Sequence, residues 1–157
     1  MSRVSAEAVA VALFARLQTV PGLVTCSREL KDFDQVPPAE QPAGFQASEP
    51  VNAAPPAPSG GGRSTAGVTQ WTRHYTWFFY VHRASLPVDT LLDTMMNTIE
   101  DAVRAALAPS AGQTSQTLGG LVADCRIVGT IERHGGVLID QGVLIVPIEV
   151  RCFPSTS

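Results

Sequence analysis

From Leu144 to Cys152 apolar and polar positions alternate. Leu144, Val146, Ile148, Val150 and Cys152 fall on one side of an extended chain, and Pro147, Glu149 and Arg151 on the other. Successive strand side chains point to opposite faces, so the pattern predicts a strand with one buried face. Upstream, Cys125, Ile127, Gly129 and Ile131 alternate with Arg126, Val128, Thr130 and Glu132, which predicts a second strand. The two are expected to pair antiparallel across a polar, glycine-bearing connection. Pro147 lacks the N–H that a sheet ladder uses, which places its strand at an edge or beside a bulge. The longest strand expected is Thr69 to Arg83, dense in aromatic and β-branched residues. Trp71, Tyr75, Trp77, Phe79 and Val81 share one face, and Thr72, His74, Thr76, Phe78, Tyr80 and His82 share the other. Aromatics on both faces fit core on one side and a subunit contact on the other.

Two stretches have helical periodicity. Ser5 is placed to cap a helix from Ala6 to Gln18, with Glu7 in the first turn, Arg16 in the last and Val9, Leu13, Phe14 and Leu17 as its buried stripe. Pro21-Gly22 stops it. The second helix spans Pro87 to Leu107, with the stripe Leu92, Met95, Met96, Ile99, Val103 and Leu107 and with Asp89 and Asp93 near its start. Leu23 to Leu30 reads as a further strand, and Gly44 to Ser48 as a short one anchored by Phe45. Between Val36 and Gly67 lie seven of the 12 prolines and the run Gly60-Gly61-Gly62. Such a composition buries too little apolar surface to offset its ordering entropy, so Glu49 to Gly67 is expected to be a long surface excursion. The fold class that buries every stripe is α+β: a mostly antiparallel or mixed β-sheet with two α-helices packed on one face. Residues 1–157 read as a single domain carrying an insertion at about 49–67.

Composition narrows the functions open to this scaffold. The length suits one core without staples. Charged residues make up 16% of the chain, below the roughly 25% of an average soluble domain, so much of the surface is expected to be covered by neighbours. A net charge of -3 supplies no basic footprint for sequence-specific nucleic-acid binding or for an anionic membrane. The run Ala8 to Ala15 is bracketed by Glu7 and Arg16, which favours an amphipathic helix over a signal peptide. No apolar run approaches the 18 or so residues of a membrane span.

Chemistry-bearing groups are sparse. Cys26, Cys125 and Cys152 are widely spaced without a CxxC, and they read as structural thiols of a reducing compartment. His74, His82 and His134 lack the short-spaced partners of a zinc site. A triad of Cys26, a histidine and Asp124 or Asp140 has no local signature to support it. Asp32 and Asp34 read as a solvated turn rather than an acid–base pair. Gly60-Gly61-Gly62-Arg63-Ser64-Thr65 lacks the lysine and glycine spacing of a phosphate-binding loop, and no helix follows it. No catalytic, cofactor or metal residue is assigned. The aromatic strand as a base-stacking platform would need a cationic groove, and Arg73 and Arg83 are its only positive charges.

The arrangement itself resembles a known family. A first helix running into Leu17-Gln18-Thr19-Val20-Pro21-Gly22-Leu23, a strand with Ser27-Arg28, a hairpin ending in Trp71, a helix carrying Leu92 to Leu107, and a close in Gly142-Val143-Leu144-Ile145-Val146-Pro147-Ile148-Glu149-Val150-Arg151 look like the tail terminator, or tail completion, proteins of long-tailed bacteriophages. The resemblance covers nearly the whole chain except Glu49 to Gly67, which has no counterpart in the family pattern. It implies a structural virion protein assembled in the host cytoplasm: a hexameric ring at the head-proximal end of the tail tube that halts tube polymerisation and offers the head its docking surface. The partners so implied are further copies of the chain, the tail tube protein and head–tail connector or adaptor proteins, with genome DNA passing through the lumen without sequence-specific binding. No membrane is involved and no catalytic residue is carried over.

The prospective assembly contacts are Arg63, Trp71, Arg73 and His74, then Arg133, His134, Asp140 and Gln141 of the polar connection, and Pro147. The alternatives are a head-side neck adaptor, which would also form a ring, and a small cytosolic hydrolase. Native mass separates ring from monomeric enzyme, and binding to tube or portal separates terminator from adaptor.

Overall fold

A computed structural model describes residues 5–48, 68–69, 71–86, 91–135, 141–152 and 155–156. Helix α1 (Ala6–Leu17) starts where Ser5 Oγ accepts the Ala8 N–H at 3.0 Å, satisfying one of the donors a helix start leaves open. Val9, Ala10, Leu13 and Leu17 are its buried stripe, and Phe14 is half-buried. The chain leaves it through Gly22, whose φ of +83° suits a residue without a Cβ. Helix α2 (Leu92–Ala106) buries Met96, Ile99, Val103 and Ala106. Its expected first residues, 87–90, lie outside the described residues.

The strands are β1 (Thr25–Ser27), β2 (Ala43–Ser48), β4 (Thr72–His82), β5 (Asp124–Ile127), β6 (Glu132–Gly135) and β7 (Gln141–Arg151). They form one sheet in the order β1-β2-β4-β7-β5, with β6 also paired to β7. A separate two-stranded pair joins β3 (Val68–Thr69) to β8 (Ser155–Thr156). β1 runs parallel to β2, and the other pairings of the main sheet are antiparallel. The architecture is thus α+β, a mixed sheet with two helices against it.

Three local expectations are corrected. The strand expected over Leu23 to Leu30 is only three residues long, because Ser27 Oγ accepts the Glu29 N–H at 3.0 Å and turns the chain. The strand expected through Gly129 is two strands, since Gly129 sits at φ +75° and breaks the alternation. The proline strand β7 is not an edge: β4 pairs with it over its whole length, and β5 and β6 share its other side. Pro147 is accommodated because the interruption falls on its neighbour. β5 pairs with residues up from Ile148 and β6 with residues down from Ile145, and across the gap Pro147 O accepts the Val128 N–H at 3.0 Å. A missing N–H therefore faces a place where the ladder is already open.

Both helices cover the same sheet face. Beneath them, Tyr75, Trp77, Phe79 and Val81 of β4 meet Leu144, Val146, Ile148 and Val150 of β7 in one continuous core that includes Cys125 and Cys152. Both of these thiols are free and buried, and Cys26 is half-buried. Gly44 fits beneath Leu17, Leu23 and Phe79, where any Cβ would be within 3.3 Å of all three. Two of the polar groups inside are bonded to one another and to α1: Gln46 Nε2 donates to Ala10 O at 3.0 Å, and Trp77 Nε1 donates to Gln46 Oε1 at 3.1 Å. Gln116 joins the chain after α2 to α1, donating to Ala108 O at 2.6 Å and accepting from Leu118 N at 3.0 Å and Arg16 at 3.4 Å.

Candidate assembly surface

The opposite sheet face has no α-helix over it among the described residues. Its rows follow from the strand register. On β4 they are Thr72, His74, Thr76, Phe78, Tyr80 and His82, standing opposite Arg151, Glu149, Pro147, Ile145, Val143 and Gln141 of β7. On β2, Ala47, Phe45 and Ala43 stand opposite Thr76, Phe78 and Tyr80. One end is closed by the segment before β2. Phe33 and Val36 pack on Phe45, Tyr80, Phe78 and Val143, with the Phe33 and Phe45 rings 5.2 and 5.3 Å from that of Tyr80. The Tyr80 hydroxyl donates to Lys31 O at 2.7 Å and holds this cover in place.

Next to the cover, which reaches Phe78, the residues Thr76, Phe78, Ile145 and Pro147 form a half-buried band across the middle of the sheet. Charge borders it on the β5 side, where Glu149 accepts from Arg151 at 2.8 Å and from Arg126 at 3.5 Å, with Asp124 3.9 Å from Arg126. On the β6 side His134 lies 3.2 Å from Glu132. His82 Nδ1 accepts the Ala84 N–H at 3.0 Å, so this ring caps a turn.

The residues chosen from sequence divide between the two faces. His74, His134, Gln141 and Pro147 share the open face. Trp71 packs half-buried against the main core, and its carbonyl accepts the Cys152 N–H at 2.9 Å. Arg73 is also on the helix side, and only 6% exposed. Arg133 stands opposite the buried Leu144 and donates to Glu100 of α2 at 2.5 Å. It ties β6 to a helix of its own chain. Arg63 and Asp140 fall outside the described residues, as do all of the insertion at 49–67 and residues 136–140 of the polar connection. The alternation places Phe78 on the expected contact face, but it does not single out Ile145 and Val143. Their apolar character at polar-phase positions was the signal available.

The described residues contain no group of three His, Cys, Asp or Glu side chains placed to hold a metal ion. Among them no helix is long and apolar enough to cross a membrane. No family model matches the chain, and no curated protein matches it in sequence.

Proposed function

We propose that this chain is a structural virion protein of a long-tailed phage, forming a ring at the head-proximal end of the tail tube, stopping its growth and presenting the surface on which the head docks. The observation that carries the reading is the two-sidedness of the sheet. One face is sealed by both helices, while the other carries the band of Thr76, Phe78, Ile145 and Pro147 bordered by charge. A contiguous apolar patch rimmed by polar groups marks an interaction surface, and head-to-tail contacts close into a ring when the rotation between copies fits. The family resemblance of the sequence supplies the tube and the head as partners.

A terminator must bind the end of the tube better than the next tube subunit does, and must then not repeat the tube's own acceptor surface. Tails assembled without this protein are expected to grow abnormally long or to fail to join heads, and added protein is expected to cap them. Equal tail lengths and normal head joining in its absence would remove the reading. Binding to the portal alone would favour a neck adaptor instead.

A further inference from the structure

On the helix side, away from the assembly band, lies a cleft of about 160 Å³ between the start of α1 and the adjoining ends of β1, β2 and β4. Its apolar wall is Ala6 and Ala10, and its polar lining includes Glu7, Arg28, Arg73 and Tyr75. Arg73 is the unusual member. It is 6% exposed, its Nε is buried without a hydrogen-bond partner, and the described residues make no ion pair with it. The Nε–H has thus lost its hydration without a hydrogen bond in return, and the charge has no counter-charge among the described residues. The other cation of the cleft is already paired: Arg28 donates to both oxygens of Glu7, at 2.6 and 2.9 Å. Glu7, the one carboxylate among the described residues lining the cleft, is thereby engaged by Arg28.

The remaining lining favours an incoming anion. Ser5 Oγ takes the Ala8 N–H and Ser5 O the Val9 N–H, so the N–H groups of Ala6 and Glu7 have no partner inside the helix. The helix start also carries partial positive charge. Tyr75 and Ser48 add hydroxyls at the cleft wall. At about 30 Å³ per water, the volume holds a carboxylate and the methylene that carries it.

We propose that this cleft is a receptor for a single carboxylate group, bound by the Arg73 guanidinium at the N-terminus of α1. A planar fork matches a planar carboxylate with two parallel hydrogen bonds. One unpaired positive charge is balanced by one negative charge, whereas a phosphate dianion would add repulsion from Glu7 at the same wall. The carboxylate comes either from a small free acid or from an acidic side chain of a second copy of the chain. The site is independent of the assembly reading and stands or falls without it.

The test uses the full chain, ¹⁵N-labelled, in phosphate-free buffer at constant ionic strength, titrated with acetate, chloride or inorganic phosphate. The expected result is a saturable shift of the Arg73 Nε–H resonance with acetate, and a Tm that rises with acetate but not with chloride. Arg73→Lys keeps the charge without the fork and is expected to weaken acetate binding by about tenfold or more. Arg73→Met is expected to abolish the response and, in acetate-free buffer, to be at least as stable as the wild type. No saturable shift in the wild type, or phosphate binding as tightly as acetate, overturns the proposal. Both outcomes are read on the wild type, so a variant that fails to fold does not blunt the test. If acetate lowers the mass of the protein in light scattering, the source is a second copy; if acetate binds and the mass is unchanged, it is a free acid.

Discussion

Trp77 and Gln46 are joined in the core, with the indole N–H donating to the amide oxygen at 3.1 Å, while the Gln46 amide nitrogen donates to Ala10 O at 3.0 Å. Both side chains are 2% exposed or less. One glutamine thus satisfies a buried donor on β4 and a helix carbonyl on α1, fixing how the helix sits on the sheet. Gln46→Leu keeps the volume but strands the Trp77 indole N–H, which costs about 1–3 kcal/mol when left unmade, while Ala10 O keeps its bond within α1. The expected outcome is a lower urea midpoint with an unchanged m-value, together with a shift in Trp77 fluorescence.

Gly142 and Met96 are a second coupled pair. A Cβ built at Gly142 would lie 2.5 Å from the Met96 sulfur, although the glycine backbone is ordinary strand. Gly142→Ala is therefore an overpacking change, expected to cost about 1–3 kcal/mol. In a Met96→Ala background the added methyl enters the space just vacated, and its cost is expected to shrink or reverse sign. A double-mutant cycle measures this coupling; additive effects would mean that α2 moves away from β7 instead.

Much of the scaffold is legible in the sequence because its signals are local. Ser5 caps α1 as its position predicts, and the phases of β4 and β7 are those of their alternation. The failures are non-local. Pro147 reads as an edge or bulge residue, and the choice stays open because a sequence does not show that the neighbouring strand is broken at Val128 and Gly129. The parallel pairing of β1 with β2 depends on where the chain crosses between them. Arg133 and Arg73 read as assembly contacts, since arginine is rarely buried. Only the three-dimensional contacts show one tied to Glu100 and the other enclosed without a partner. Cross-strand partners, which decide what a face looks like, come from distant parts of the chain.

The thiols make a pH prediction. Burial, with a smaller contribution from Asp124, pushes Cys125 up from its ordinary 9.0 to about 12. Ionisation is then harder in the folded protein than in the unfolded chain, so the protonated thiol favours folding. This stability is complete below about pH 9 and is lost as pH rises towards about 12. Burial also raises Cys26, Tyr75 and Tyr80, which adds in the same direction. At pH 8 a thiolate-specific reagent is expected to modify Cys26 slowly, and Cys125 and Cys152 only after unfolding. Rapid modification of all three without denaturant would contradict the buried placement.

The open sheet face gives the prediction that bears most directly on assembly. Ile145 lies in the middle of the half-buried band, opposite Phe78 and beside Pro147, and its side chain leaves the sheet away from the helices. Ile145→Lys should leave the helix-side core intact, so circular dichroism is expected to be unchanged and stability to fall by about 1 kcal/mol or less. If the band is where copies meet, a lysine there places an unpaired charge in a desolvated contact, which interfaces reject. Val11→Lys is the matched control, because Val11 is 50% exposed on α1 and lies outside the band. Native mass spectrometry is expected to show an oligomer for the wild type and the control, and a folded monomer for Ile145→Lys. An oligomer that survives Ile145→Lys would move the contact elsewhere, with the edges at β1 and β5 the next surfaces to alter.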